Sequence, residues 1–257
     1  MTAADSSGAR PGPRHAHHLF APIWILLATA CASDARPDTS GSPAEAEAEA
    51  RVGVSYSIRL DSDSSDPSEF ELVEDDDGIR IQTGPAGIAY RDSDLILSGD
   101  MHVRATFHQY EAPVGYREAY GIFVGGRDLD RIDQEYTYLL IRPTGDYLVK
   151  RRIGEITETL VDWTHHPSVQ TITADGDEPL NTLGIDVFKG QAHFVVNGDE
   201  VHFASANRVR PFGTAGVRVN HRLDVRVDHW IMQAGATRPH PPAAAPDRTG
   251  AAPSRAP

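Results

Sequence analysis

Residues 181–203 read NTLGIDVFKGQAHFVVNGDEVHF, and this stretch decides the fold. In Leu183-Gly184-Ile185-Asp186-Val187, large apolar residues alternate with small or charged ones, the period of a strand with one buried face. Asn197-Gly198 lies between AHFVV and DEVHF. Both positions of such a turn tolerate positive φ, so the pair predicts a two-residue β-hairpin.

The same period runs outward in both directions. Leu223-Asp224-Val225-Arg226-Val227-Asp228 alternates strictly, as do Met101 to Phe107 and Val217-Arg218-Val219. Thr144-Gly145-Asp146 joins YTYLLIR to YLVKRR as a second hairpin, and Arg152-Ile153-Gly154-Glu155 turns into ITETLVDW. About a dozen short strands separated by turn signals, with no helical stretch of about ten residues, predict an all-β antiparallel β-sandwich. No internal repeat is present.

Read in order, YGIFVGG (120–126), EYTYLLIRPTGDYLVKRR (135–152), Trp163, the 181–203 stretch and TAGVRVNHRLDVRVDHW (214–230) form a recognisable series. The series resembles the concanavalin A-like jelly rolls of bacterial secreted proteins, above all the 3-keto-disaccharide hydrolase and laminin-G-like relatives. The resemblance spans about residues 70–232 and rests on structural motifs, so it implies a fold more than an activity. In the hydrolase relatives a Glu-x-Gln-type signature follows the "GI-F" segment. This chain has Glu135-Tyr136-Thr137-Tyr138 there, and Val-Gly-Gly where an Arg is common.

The ends of the chain read differently. LFAPIWILLATA (19–30) is too short to span a bilayer, which takes about 20 residues. It suits the apolar region of a secretory signal. Ala28-Thr29-Ala30-Cys31 then resembles the bacterial lipoprotein signal, whose cysteine is acylated and begins the mature chain. Acyl chains contribute about 0.8 kcal/mol per buried methylene, so Cys31 is the expected membrane anchor. Ala32 after it, in place of Asp, points to the outer membrane. The expected organisation is a signal peptide at 1–30, a lipidated disordered linker at 31–53, the sandwich at 54–233 and a disordered Pro/Ala-rich tail at 234–257.

The chain has 257 residues and a formal net charge of −13. Losing residues 1–30 removes Arg10, Arg14 and Asp5, leaving −14. Such a balance argues against nucleic acid as a partner. A single cysteine excludes an internal disulfide and a cysteine-rich zinc site. Lysine occurs only at Lys150 and Lys189.

Several constellations are candidates for chemistry. Glycoside cleavage needs two carboxylates about 5–10 Å apart. Asp128-x-Asp130-x-x-Asp133 and Glu69-x-Glu71-x-x-Glu74 only echo the laminarinase-like Glu-x-Asp-x-x-Glu pattern, so no catalytic residue is assigned. No Gly-x-Ser-x-Gly elbow is present. Asp61, Asp63 and Asp66, or Asp75 to Asp77, offer oxygen ligands for a structural calcium, with a solvated acidic turn as the simpler reading. A two-residue Asn197-Gly198 turn would set His193 opposite His202, without an evident third zinc ligand.

Tyr120, Tyr136, Tyr138 and Trp163, with Arg142, Lys150 and Arg152, suit a concave sheet face that stacks sugars on rings and donates hydrogen bonds from cations. The alternative is that the rings are sandwich core and the cations its rim. The expected function is an extracytoplasmic, lipid-anchored binding module for a glycan or envelope partner, with a carbohydrate-active hydrolase as the alternative.

Overall fold

The computed structural model describes residues 56–235, apart from 77, 93–95, 111, 114 and 173–177. The signal, linker, Cys31, Asp77 and tail expectations fall outside these residues, apart from the first two residues assigned to the tail.

Among the described residues, fourteen strands form two seven-stranded sheets, and every pair of neighbouring strands is antiparallel. The first sheet contains β1 (Ser57–Leu60), β4 (Gly87–Tyr90), β13 (Thr214–Val219), β6 (Tyr120–Arg127), β7 (Glu135–Arg142), β8 (Asp146–Ile153) and β9 (Ile156–His165), in that spatial order. The second runs β12 (Asp199–Ser205), β11 (Gln191–Val196), β10 (Leu180–Phe188), β5 (Met101–Gln109), β14 (Asp224–Ala234), β3 (Gly78–Thr83) and β2 (Phe70–Glu74). A short helix, α1 (Ala206–Val209), follows β12.

The period-two segments are strands whose apolar residues face the other sheet. Ile122, Val124, Leu139, Ile141, Val149, Val217 and Val219 from the first sheet share one core cluster with Ile81, Val103, Phe107, Leu183, Ile185, Phe194, Val225 and Val227 from the second. Burying each such side chain contributes about 1.5–3 kcal/mol, which makes this layer the main source of cohesion. Arg104, Thr106 and His108, the intervening residues of β5, are half-buried on the other face.

The three expected hairpins are present. Asn197 and Gly198 carry φ of 51° and 90° between β11 and β12, as a primed turn requires. Gly145 (φ 89°) closes the β7–β8 connection and Gly154 (φ 58°) begins the β8–β9 turn.

One register differs from expectation. Val195 pairs with Glu200 but Phe194 pairs with His202, so Val201 is an extra residue in a β-bulge. His193 therefore opposes Phe203, not His202. Its Nδ1 lies 2.7 Å from Glu200 Oε2.

Candidate functional site

The face of the first sheet turned away from the core carries most of the candidate residues. The β7–β8 register sets Tyr136 opposite Arg152, Tyr138 opposite Lys150 and Arg142 opposite Asp146. Directly opposed residues share a face, so all six project together. On β9, Thr157 lies beside Arg152 and Thr159 beside Lys150. Trp163, also on β9, packs against the cluster formed by Phe123, Tyr136, Tyr138, Leu140 and Leu148.

Tyr120 does not belong to this group. It is fully buried between the sheets, 5.1 Å from the Phe107 ring, and its hydroxyl accepts a 3.4 Å hydrogen bond from Asn181 Nδ2. The strand YGIFVGG is apolar on both faces, so its sequence carries no polarity to separate inward from outward positions.

Tyr136 and Tyr138 share the outward face, yet both are buried, at 1% and 4% exposure. Arg218 on β13 explains this. Its guanidinium lies 4.9 Å over the Tyr138 ring and donates a 2.9 Å hydrogen bond to the Tyr136 hydroxyl. The same group holds Asp61 through both carboxylate oxygens, with Nη1 2.9 Å from Oδ1. Arg152 Nη1 lies 3.5 Å from the same Oδ1.

Asp61 follows β1 directly, and β1 is five strand steps from β8. A flat sheet would separate them by about 24 Å, at about 4.8 Å per step. An ion pair across that interval requires a strongly curled sheet, with Asp61 and Arg218 closing over its middle. Tyr136 and Tyr138 therefore form the floor beneath an ion-pair lid and do not present ring faces to a ligand.

The electrostatics follow from this packing. Burial alone would raise the Asp61 carboxyl, but the Arg218 hydrogen bond and charge hold it below its ordinary value. Burial also raises the Tyr136 and Tyr138 hydroxyls. Asp61 is thus committed to guanidinium groups. Asp66 accepts from the Ser68 amide and hydroxyl, and Asp75 pairs with Arg226. Asp61, Asp66 and Asp75 are thus each taken up by donors of the protein itself. Among the described residues, no group of three or more His, Cys, Asp or Glu side chains is placed to hold a metal.

What remains accessible divides into two regions. At the β7–β9 side, the Arg142 guanidinium lies 4.3 Å over the Trp163 ring and donates to Asp146, next to Lys150, Arg152, Thr157 and Thr159. At the β1–β4 side lies an open depression of about 690 Å³, lined by Ser57, Arg59, Tyr90, Asp92, Asp128 and Asp130 among others. The first region carries Arg142, Lys150 and Arg152 around Asp146, and the second carries Asp92, Asp128 and Asp130 with Arg59 and Arg127.

Asp133 bonds to Arg131, away from the depression that Asp128 and Asp130 line. Glu69, Glu71 and Glu74 lie on the exposed edge formed by a 3-10 turn and β2. Glu135, at the position of the hydrolase signature, is held by Arg127, Arg151 and Arg210. Burial alone would raise its carboxyl, but Arg151 and Arg127 hold it low.

The sequence reading missed Arg218 and Asp61 as a pair. The only signal was a charged residue between the two inward-facing valines of Val217-Arg218-Val219, and it does not name the partner.

No family model matches the chain, and no curated protein does. Among solved structures, the chain is similar to the carbohydrate binding module CBM66 from Bacillus subtilis, at 7% identity and a TM-score of 0.50. That match covers 68% of this chain and 94% of the module. A Bacillus subtilis protein of unknown function with a galectin-like fold matches at 11% identity and TM-score 0.49, covering 69% and 88%. A mixed linkage glucan GH16 protein of Bacteroides ovatus, in complex with a G4G4G3G product, matches at 7% identity and TM-score 0.47, covering 69% and 94%. With two antiparallel seven-stranded sheets around one core, the chain has the concanavalin A-like β-sandwich fold.

Proposed function

We propose that this protein is a glycan-binding module whose site is the outward face of the first sheet, at the β7–β9 side. One observation carries the reading: half-buried Trp163, stacked by Arg142, shares a strip with Lys150, Arg152 and two threonine hydroxyls. Aromatic rings pack on the C–H faces of sugars, while guanidinium, ammonium and hydroxyl groups donate to sugar oxygens. The fold shared with a carbohydrate binding module supports the reading.

Binding is favoured over hydrolysis by the carboxylates. Asp61, Asp66, Asp133, Glu135, Asp146 and Asp224 are all displaced below their ordinary values by arginine, serine, threonine or glutamine donors. A glycosidase general acid needs displacement in the opposite direction.

Trp163→Ala is expected to weaken glycan binding about two- to tenfold, since an aromatic contact contributes about 0.5–1.5 kcal/mol and 1.4 kcal/mol is tenfold. A glycan array followed by titration calorimetry on the full chain reads this directly. Unchanged affinity in a folded variant, or an array with no binder, refutes the reading.

The module is proposed to act outside the cytoplasm, tethered through Cys31 as its sequence context implies. Cys31→Ser is expected to move the protein from the detergent-extracted membrane fraction to the soluble fraction. A wild type that is already soluble after lysis overturns the anchor.

A further inference from the structure

We infer that the β7–β9 strip selects glycans carrying carboxylates, such as uronate polymers, over neutral glycans of the same backbone. The inference rests on the glycan-binding reading and adds the ligand's charge. The first observation is a local imbalance. The strip's own strands hold Arg142, Lys150 and Arg152 with one carboxylate, Asp146, which Arg142 and Thr144 already occupy, and Asp61 reaches in from beyond β1 to within 3.5 Å of Arg152. Lys150 has no acidic partner among the described residues, although it is half-buried between Tyr138 and Thr159.

The second observation is Asp61 itself. Its carboxylate, arriving from beyond β1, is gripped in fork geometry by Arg218 and lies 3.5 Å from Arg152. The floor of this face is therefore chemically built for a carboxylate, and an internal one sits at its centre. Arg218 already matches that single charge, so Arg152, which also donates from Nε to the Gly154 carbonyl, adds a positive charge beneath the unpaired Lys150 ammonium. A ligand carboxylate lying along β8 would accept from Lys150, with Arg152 behind it and Trp163 under a neighbouring ring.

The chain's formal net charge of −13 does not cancel this preference. Screening limits the reach of exposed charges to about 8 Å at physiological salt, so the strip's own cations dominate at contact distance. Towards β1 and β4, the depression on the same face holds Asp92, Asp128 and Asp130 with Arg59 and Arg127. The cationic excess therefore lies at the β8 end, where an anionic glycan is directed.

The test compares polygalacturonate oligomers with the same oligomers after carboxyl reduction, using titration calorimetry on the full chain. The expected result is at least tenfold tighter binding of the charged form, weakened by raising salt. Lys150→Gln should lose about fivefold on the charged form and under twofold on the reduced one. Lys189→Gln, in the turn between β10 and β11, should match the wild type. Equal affinity for both forms, or a Lys150→Gln loss shared by both, overturns the charge preference and leaves glycan binding standing. Absence of binding to these oligomers and to any glycan on the array overturns both.

Discussion

Asp61→Ala is expected to destabilise the fold by about 3–5 kcal/mol, the range for leaving a buried charge without its partner. Removing either member of an ion pair deletes the same attraction, yet the cost depends on which charge stays behind. The Arg218 side chain is 8% exposed and that of Asp61 30%. Without Asp61, a buried guanidinium remains between two tyrosines. A guanidinium stays protonated throughout the accessible pH range, so it cannot escape the penalty by losing its proton. Arg152 would then face Arg218 with no carboxylate between them.

Arg218→Met, by contrast, leaves a carboxylate that water and Arg152 still reach. Its expected cost is smaller, about 1–2 kcal/mol. The double variant, Asp61→Ala with Arg218→Met, should recover much of the loss, because an apolar pair of similar volume often replaces a buried ion pair without penalty. Urea unfolding of the three variants measures these values. An Arg218→Met cost equal to or above that of Asp61→Ala would show that the pair acts through packing and not through uncompensated charge.

The same pair marks where sequence reading stops. The period of Leu183 to Val187 and the Asn197-Gly198 turn predict strand and hairpin from neighbours within a few residues, and the β10–β12 region folds that way. The pairing of His193 with His202 failed over one bulged residue, Val201. Nothing in DEVHF distinguishes a regular strand from one that admits an extra position.

Alternation is local, so a shared face for Tyr136 with Tyr138, and for Lys150 with Arg152, is legible in the sequence. The burial of the tyrosines was not legible. Arg218 lies 82 residues from Tyr136, and Asp61 lies 157 residues from Arg218. Only closure of the curled sheet brings them together. An acidic residue in a serine-rich turn reads as solvated until that topology is known.

Glu135→Gln is the second substitution with a large expected effect, about 2–3 kcal/mol of lost stability at neutral pH, below the buried-pair range because two of its partners reach solvent. Glu135 begins β7 and gathers Arg127 from β6, Arg151 from β8 and Arg210, the left-handed residue that caps α1. Arg127 and Arg210 are 40% and 52% exposed and can turn outward, whereas Arg151 at 13% cannot.

The sign of the pH dependence follows from the same contacts. A carboxyl held below its ordinary value contributes stability that is complete above the unfolded-state range. That stability is lost as pH falls through the folded value. Wild-type stability should therefore stay level above about pH 5 and drop steeply below it, as Glu135, Asp61, Asp146 and Asp224 are forced to bind protons. Glu135→Gln removes one of these groups, so its acid limb should be shallower and its deficit against wild type should shrink as pH falls. Denaturation midpoints between pH 3 and pH 8 test this. A constant deficit across that range would mean that Glu135 stabilises by shape alone. A fully stable Glu135→Gln protein that lost sugar-cleaving activity would instead mark Glu135 as a catalytic residue. The three guanidinium groups argue against that outcome, because they hold the proton off the carboxyl that would have to deliver it.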